Sequence, residues 1–199
     1  MINATACILI GGQSKRFGST KWKAKLGSKS VIEHIWSASS EFKFQYLVGK
    51  TKPKNIKEMF IEDLFDFQAP IIGLVSSIKS SKTDWILLLS CDLPLIDKDS
   101  LRAIWNSSRE KYDAVIPIVN GYRQPLCGLY HKRIKKKLDI YIGKKNLSLN
   151  FFLESINCNF ICISDNEQRF VNMNTKEDFN KVEKIFELST TKQSFRNNR

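Results

Sequence analysis

Strand-like and helix-like hydrophobic spacing alternate along this chain in short blocks. Thr5-Ala6-Cys7-Ile8-Leu9-Ile10 is an almost unbroken apolar run, the pattern of a parallel strand buried on both faces. Val31, Ile32, Ile35 and Trp36 then fall on one helical face, with Ser30 placed as the N-cap. Tyr46–Gly49 predicts a second strand, broken by Lys50-Thr51-Lys52-Pro53, and the three elements make a βαβ unit. Met59-Phe60-Ile61 predicts a short strand ending in Glu62-Asp63, and Pro70 opens a helix that continues through Val75 and Ile78. The continuous run Trp85-Ile86-Leu87-Leu88-Leu89 predicts a central strand finishing in Ser90-Cys91-Asp92-Leu93-Pro94, and Asp97 caps the helix beyond it. Ala114–Ile118 predicts another strand. Asn120-Gly121 then signals a tight hairpin, with Arg123–Tyr130 returning antiparallel.

A basic helix from His131, a helix after Ser148, a strand at Phe160–Ile163 and a helix capped by Thr175 and Asp178 complete the pattern. The whole predicts an α/β domain whose mostly parallel sheet carries an inserted antiparallel hairpin. Apolar periodicity fades from Ser189, so residues 1–188 read as one domain and 189–199 as a basic disordered tail.

A length of 199 residues suits one domain with a substantial core. No apolar run reaches the roughly 18 residues of a membrane-spanning helix, and the amino terminus lacks the pattern of a secretory signal. The five cysteines form no C-x-x-C pair, which argues against a zinc ribbon or a thioredoxin-type site. Cys158 and Cys162 read as buried strand residues, and the set suits a reducing cytoplasm. The net charge of +12 asks for an anionic partner. No RNA-recognition string, zinc finger or continuous basic helix is present, so phosphorylated small molecules are favoured over nucleic acid.

The candidate chemistry sits where two apolar runs end. After the first, Gly11-Gly12-Gln13-Ser14-Lys15-Arg16-Phe17-Gly18 lets the backbone turn sharply and offers N–H groups to an anion, while Arg16 and Lys21 supply full positive charges. The string is neither a Walker A loop nor the G-x-G-x-x-G fingerprint. Asp92, at the carboxyl end of the central strand, is placed to hold Mg²⁺, a hard cation that prefers oxygen and bridges carboxylates to phosphates. His34 and His131 read as structural, and no Ser-His-Asp set is evident.

Leu9-Ile10-Gly11-Gly12-Gln13-Ser14-Lys15-Arg16-Phe17-Gly18-x-x-Lys21 resembles the L-A-G-G-x-S-x-R-M-G-x-D-K opening of the molybdenum cofactor guanylyltransferases. Ile10 stands where that family has Ala, and Thr20 where it has Asp. Ala69-Pro70-Ile71-Ile72-Gly73 is similar to its G-P-L-x-G, with Ala69 for the first Gly. The stretch from Arg123 to Tyr130 is similar to its R-x-Q-P-L-x-x-x-Y, and Phe170–Asp178 to its F-x-N-x-N-T-x-E-D.

The resemblance implies a Rossmann-like three-layer nucleotidyltransferase fold. It implies transfer of GMP from GTP to molybdenum-loaded molybdopterin, with pyrophosphate leaving. Leu9, Ile10, Gly11, Gly12, Lys21, Gly49 (where Asn is more usual), Asp63 and Asp92 are the implied nucleotide contacts. Arg16, Lys21 and Asp92 are the implied catalytic residues, with Asp92 holding Mg²⁺. Asn172 and Asn174 are expected to hold their own loop. Apo-molybdoenzymes and other cofactor-biosynthesis proteins are further implied partners. Two alternatives stay open: cytidylyl transfer to molybdopterin or to a sugar or polyol phosphate, and a non-catalytic carrier of the cofactor.

Overall fold

The computed structural model describes residues 1–11, 20–54, 56–65 and 69–197, with side chains as far as residue 190. In chain order the elements are β1 (Ile2–Leu9), the small hairpin β2 (Lys25–Leu26) and β3 (Lys29–Ser30), α1 (Val31–Ala38), β4 (Phe42–Gly49), β5 (Phe60–Glu62), α2 (Pro70–Ser80) and β6 (Trp85–Ser90). There follow α3 (Lys98–Asn106), β7 (Ala114–Val119), β8 (Tyr122–Arg123), β9 (Cys127–His131), α4 (Lys135–Gly143), α5 (Leu149–Leu153), β10 (Cys158–Ile163) and α6 (Lys176–Asn197).

The main sheet runs β10-β7-β9-β6-β1-β4-β5, with β8 pairing β7 off that path. β1 lies parallel between β4 and β6, β5 extends β4, and β10 runs parallel to β7. β9 sits antiparallel between β6 and β7, the inserted member that the hairpin signal predicts. Asn120 (φ 51°) and Gly121 (φ 79°) both take the left-handed backbone that a two-residue hairpin needs. The returning strand is split in two, however. Pro125 has no N–H for a ladder, so the chain turns at Gln124–Leu126 before β9 begins.

Alternation along β1 divides the core. Ala4, Ala6 and Ile8 face a layer built from α1, α3 and α6, through Val31, Ile35, Leu101, Ile104 and Val182. Cys7 faces α2, α4 and α5, through Ile71, Leu74, Leu138 and Phe152. Both sides of the sheet are therefore covered, which is why β1 and β6 are mostly apolar. The predicted caps form. Ser30 and Glu33 bond reciprocally around the start of α1, with Ser30 N–H to Glu33 Oε2 at 2.6 Å. Asp97 Oδ1 accepts from Ser100 N–H at 2.9 Å. Thr175 and Asp178 open α6, with Asp178 N–H donating to Thr175 Oγ1 at 3.1 Å. Both histidines are structural: His34 Nε2 bonds Leu26 O at 2.8 Å, and His131 Nδ1 accepts from Arg133 N–H at 3.1 Å.

Two expectations are corrected. Cys162 is exposed and Cys158 only half-buried, because β10 is an edge strand that packs fully on neither face. The chain beyond Ser189 continues as α6 to Asn197, so a boundary at 188 falls inside a helix. Residues 176–197 contain neither Gly nor Pro to end it, and the hydroxyls of Ser189 and Thr190 both donate to Phe186 O. No helix among the described residues is long and apolar enough to cross a membrane.

Candidate active site

Parallel strands deliver their carboxyl ends to one edge of the sheet, where ligands of α/β proteins bind. Here β1, β4, β5 and β6 bring Leu9–Gly11, Gly49, Asp63 and Cys91–Asp92 to that edge. Backbone bonds lock them together: Ile10 N–H to Val48 O (2.9 Å), Asp63 N–H to Gly49 O (2.9 Å) and Cys91 N–H to Leu9 O (3.2 Å). A cavity of about 290 Å³ opens among Leu9, Gly11, Asp63, Pro70, Gly73 and Leu126. A Cβ on Gly11 would stand 4.0 Å from the α-carbon of Gly49, so two residues without side chains meet there. Gly73 has a closer contact: a Cβ would lie 2.5 Å from Leu9 Cδ2, so any larger residue displaces the Leu9 side chain where α2 meets β1. Pro70 starts α2 beside this cavity, placing the positive end of a helix dipole there.

Two carboxylates at this edge are incompletely satisfied. Asp63 Oδ1 and Asp92 Oδ1 are both buried and have no hydrogen-bond partner among the described residues. Burial holds the Asp63 carboxyl above its usual range, against the opposing pull of the Ser76 hydroxyl and the Lys50 charge. Asp92 stands in the turn after β6, and its main-chain carbonyl accepts from Met173 N–H at 2.8 Å. Lys21 begins a 3₁₀ turn, and its Nζ donates to Asn174 Oδ1 at 2.7 Å. Burial pushes the Cys91 thiol up to about 12, with the charge of Asp92 adding to the effect and that of Lys21 opposing it. Lys21 and Asp92 thus act on one locality. Among the described residues no cluster of three metal-ligating side chains occurs. A buried carboxylate oxygen that is unpaired among the described residues is nevertheless the kind of hard donor that a cation such as Mg²⁺ would take.

Of the residues singled out in the sequence, Leu9, Gly11 and Asp63 line the cavity, and Gly49 backs onto Gly11. Asp92 and Lys21 are brought together by the loop before α6. Ile10 is different: its side chain packs on the α1 side and its N–H is taken by Val48. Gly12 and Arg16 lie outside the described residues. Arg123 is held rather than free, paired with Glu154 and stacked 4.5 Å over Phe160. Sequence reasoning missed Val48, Ser90 and Leu126 as cavity walls and Ser76 as a neighbour of Asp63. Their apolar or small side chains carry no signal apart from the fold.

A mostly parallel sheet with a glycine-lined cleft, a lysine and two aspartates at its carboxyl edge defines a Rossmann-like nucleotidyltransferase fold. The chain matches the MobA-like NTP transferase domain over residues 6–156 and belongs to that family. The probable molybdenum cofactor guanylyltransferase of Bacillus cereus is 31% identical over 188 residues, 89% of this chain and 94% of that protein. Molybdopterin-guanine dinucleotide biosynthesis protein A from Archaeoglobus fulgidus superposes with a TM-score of 0.79 at 23% identity, over 91% of this chain and 97% of that one. The 2-C-methyl-D-erythritol 4-phosphate cytidylyltransferase of Thermus thermophilus shares the fold too, with a TM-score of 0.68 at 11% identity, over 92% of this chain and 98% of that one. The fold is therefore common to transferases of different bases.

Proposed function

We propose that this chain transfers GMP from GTP to the terminal phosphate of molybdenum-loaded molybdopterin. An acceptor phosphate oxygen attacks the α-phosphorus, and the bond from that phosphorus to the bridging oxygen breaks. Pyrophosphate leaves with the electron pair. Such a reaction needs positioning and charge neutralisation more than covalent catalysis. Gly11 and Gly12 would turn the chain around the phosphates, and Arg16 and Lys21 would stabilise the charge that builds on the α-phosphate and leaving group. Asp92 would hold Mg²⁺, which when bound supplies further charge neutralisation between the phosphates. Asp63 would accept hydrogen bonds from the amide N–H and amino group of guanine.

The observation that supports this reading most is the pair of buried carboxylate oxygens, on Asp63 and Asp92, left without partners among the described residues at one edge of the sheet. A buried polar atom is costly unless something satisfies it. A donor-bearing base and a phosphate-bound cation would satisfy one each. The curated relative named above as a guanylyltransferase supports the choice of base and acceptor.

Calorimetric titration with GTP, CTP and ATP, with and without Mg²⁺, tests the reading on the wild type and on Asp92→Asn. Mg²⁺-dependent binding that favours GTP and is weakened in the variant is the expected result. A preference for CTP would keep the chemistry and move the protein to the cytidylyl branch. Absence of binding to any of the three would overturn the enzyme reading.

A further inference from the structure

Lys21 and Asp92 come from different segments, yet one short stretch touches both. Met173, itself fully buried, donates its N–H to the main-chain carbonyl of Asp92 at 2.8 Å. The next residue, Asn174, accepts from Lys21 Nζ at 2.7 Å across a separation of 153 residues. The stretch is fixed from behind by α6. Asp178 Oδ2 accepts from Asn174 N–H at 3.0 Å and from Thr175 N–H at 2.9 Å. Those two backbone bonds, first among several causes, hold the Asp178 carboxyl below its usual range, as suits a charged cap.

The chemistry of the partner matters. An amide oxygen orients an ammonium while leaving its charge uncompensated, whereas a carboxylate would tie that charge into an ion pair. We propose that Asn174 is a positioning residue for Lys21, and that residues 173–178 form a strap setting Lys21 and Asp92 in register across the site. The inference rests on the reading of Lys21 and Asp92 as transfer residues. Asn174 holds the ammonium at one point with its full charge available to a phosphate. The neutral amide releases it more readily than a carboxylate would.

A double-mutant cycle on the full chain tests this, using Asn174→Ala and Lys21→Ala singly and together. Asn174→Ala should lower kcat for GTP turnover roughly tenfold, the size of one charge-assisted hydrogen bond, with KM for GTP little changed. In the Lys21→Ala background it should cost nothing more. Asn174→Asp should lower kcat further than Asn174→Ala does, because the ion pair withholds the amine. Losses that multiply independently, or an Asp variant as active as wild type, would overturn the proposal. Asn174 is exposed, so the fold should tolerate its loss, and an unchanged melting temperature confirms this.

A second readout needs no turnover. Acetylation by an N-hydroxysuccinimide ester, followed by mass spectrometry, compares Lys21 with the exposed Lys23. Lys21 should be protected in the wild type and acetylated several-fold faster in Asn174→Ala. Were the wild type to transfer no nucleotide, the proposed function would fall while the acetylation still decided the Lys21–Asn174 link. Equal labelling of Lys21 in both proteins would sink that link.

Discussion

Gly73→Ala separates the fold from the site. The added methyl would stand 2.5 Å from Leu9 Cδ2 and 3.2 Å from Cδ1, where carbon atoms prefer about 3.5–4.0 Å. A Leu9 methyl must therefore retreat by about 1 Å, and the space open to it is the cavity that Leu9 lines. Forcing the side chain off its rotamer costs about 0.5–1.5 kcal/mol. Replacing glycine by alanine inside a helix returns about 1 kcal/mol. Net stability should change by less than about 1 kcal/mol, and for a chain of this size that is a melting shift within about 4 °C. Binding should suffer more, because the displaced methyl overpacks the ligand wall by about 1–3 kcal/mol, roughly a tenfold to hundredfold loss of GTP affinity. Thermal unfolding and calorimetric titration read the two effects separately. Gly143→Ala is the control, since its new methyl meets nothing within 4 Å. Unchanged GTP affinity in Gly73→Ala, whatever its melting temperature, would refute the placement of the nucleotide against this seam.

Three further outcomes are expected. Because burial raises the Asp63 carboxyl above its ordinary value of 3.8, its charged form disfavours the fold once pH passes the raised value, and that penalty is absent below 3.8. Asp63→Asn should therefore gain stability on the high-pH side only, read from urea midpoints across pH, while GTP affinity of the wild type falls on acidification and that of the variant does not. Gly121→Ala should cost about 1–2 kcal/mol by thermal unfolding: the new methyl meets no atom, so the loss comes from the φ of +79° alone. Brief alkylation at pH 8 should modify the exposed Cys162 first and leave Cys7 and Cys91, both held near 12 by burial, untouched until the protein unfolds.

Much of the architecture was legible because it is local. The mostly apolar runs of β1 and β6 announce strands covered on both faces, and Ser30, Asp97 and Thr175 cap their helices through groups three residues away. Asn120-Gly121 declares its hairpin through backbone conformation alone. What misled was context beyond that range. The Arg123–Tyr130 run has strand character throughout, yet Pro125 and the competing edges of β6 and β7 divide it. Cys162 alternates like a core residue but sits on a strand with a neighbour on one side only. The apolar period fades from Ser189, yet the helix continues to Asn197.

The site divides in the same way. Glycines, Lys21, Asp63 and Asp92 could be named from the sequence because residue type and position at a strand end carry their chemistry. That Asp63 and Asp92 each keep an oxygen unsatisfied among the described residues, that Gly73 abuts the Leu9 side chain, and that Lys21 rests on Asn174 follow only from packing. Period, capping and turn chemistry act over a few residues and leave their mark in the sequence. The meeting of groups 153 residues apart is decided by how both faces of the sheet are covered, and no short stretch of chain encodes it.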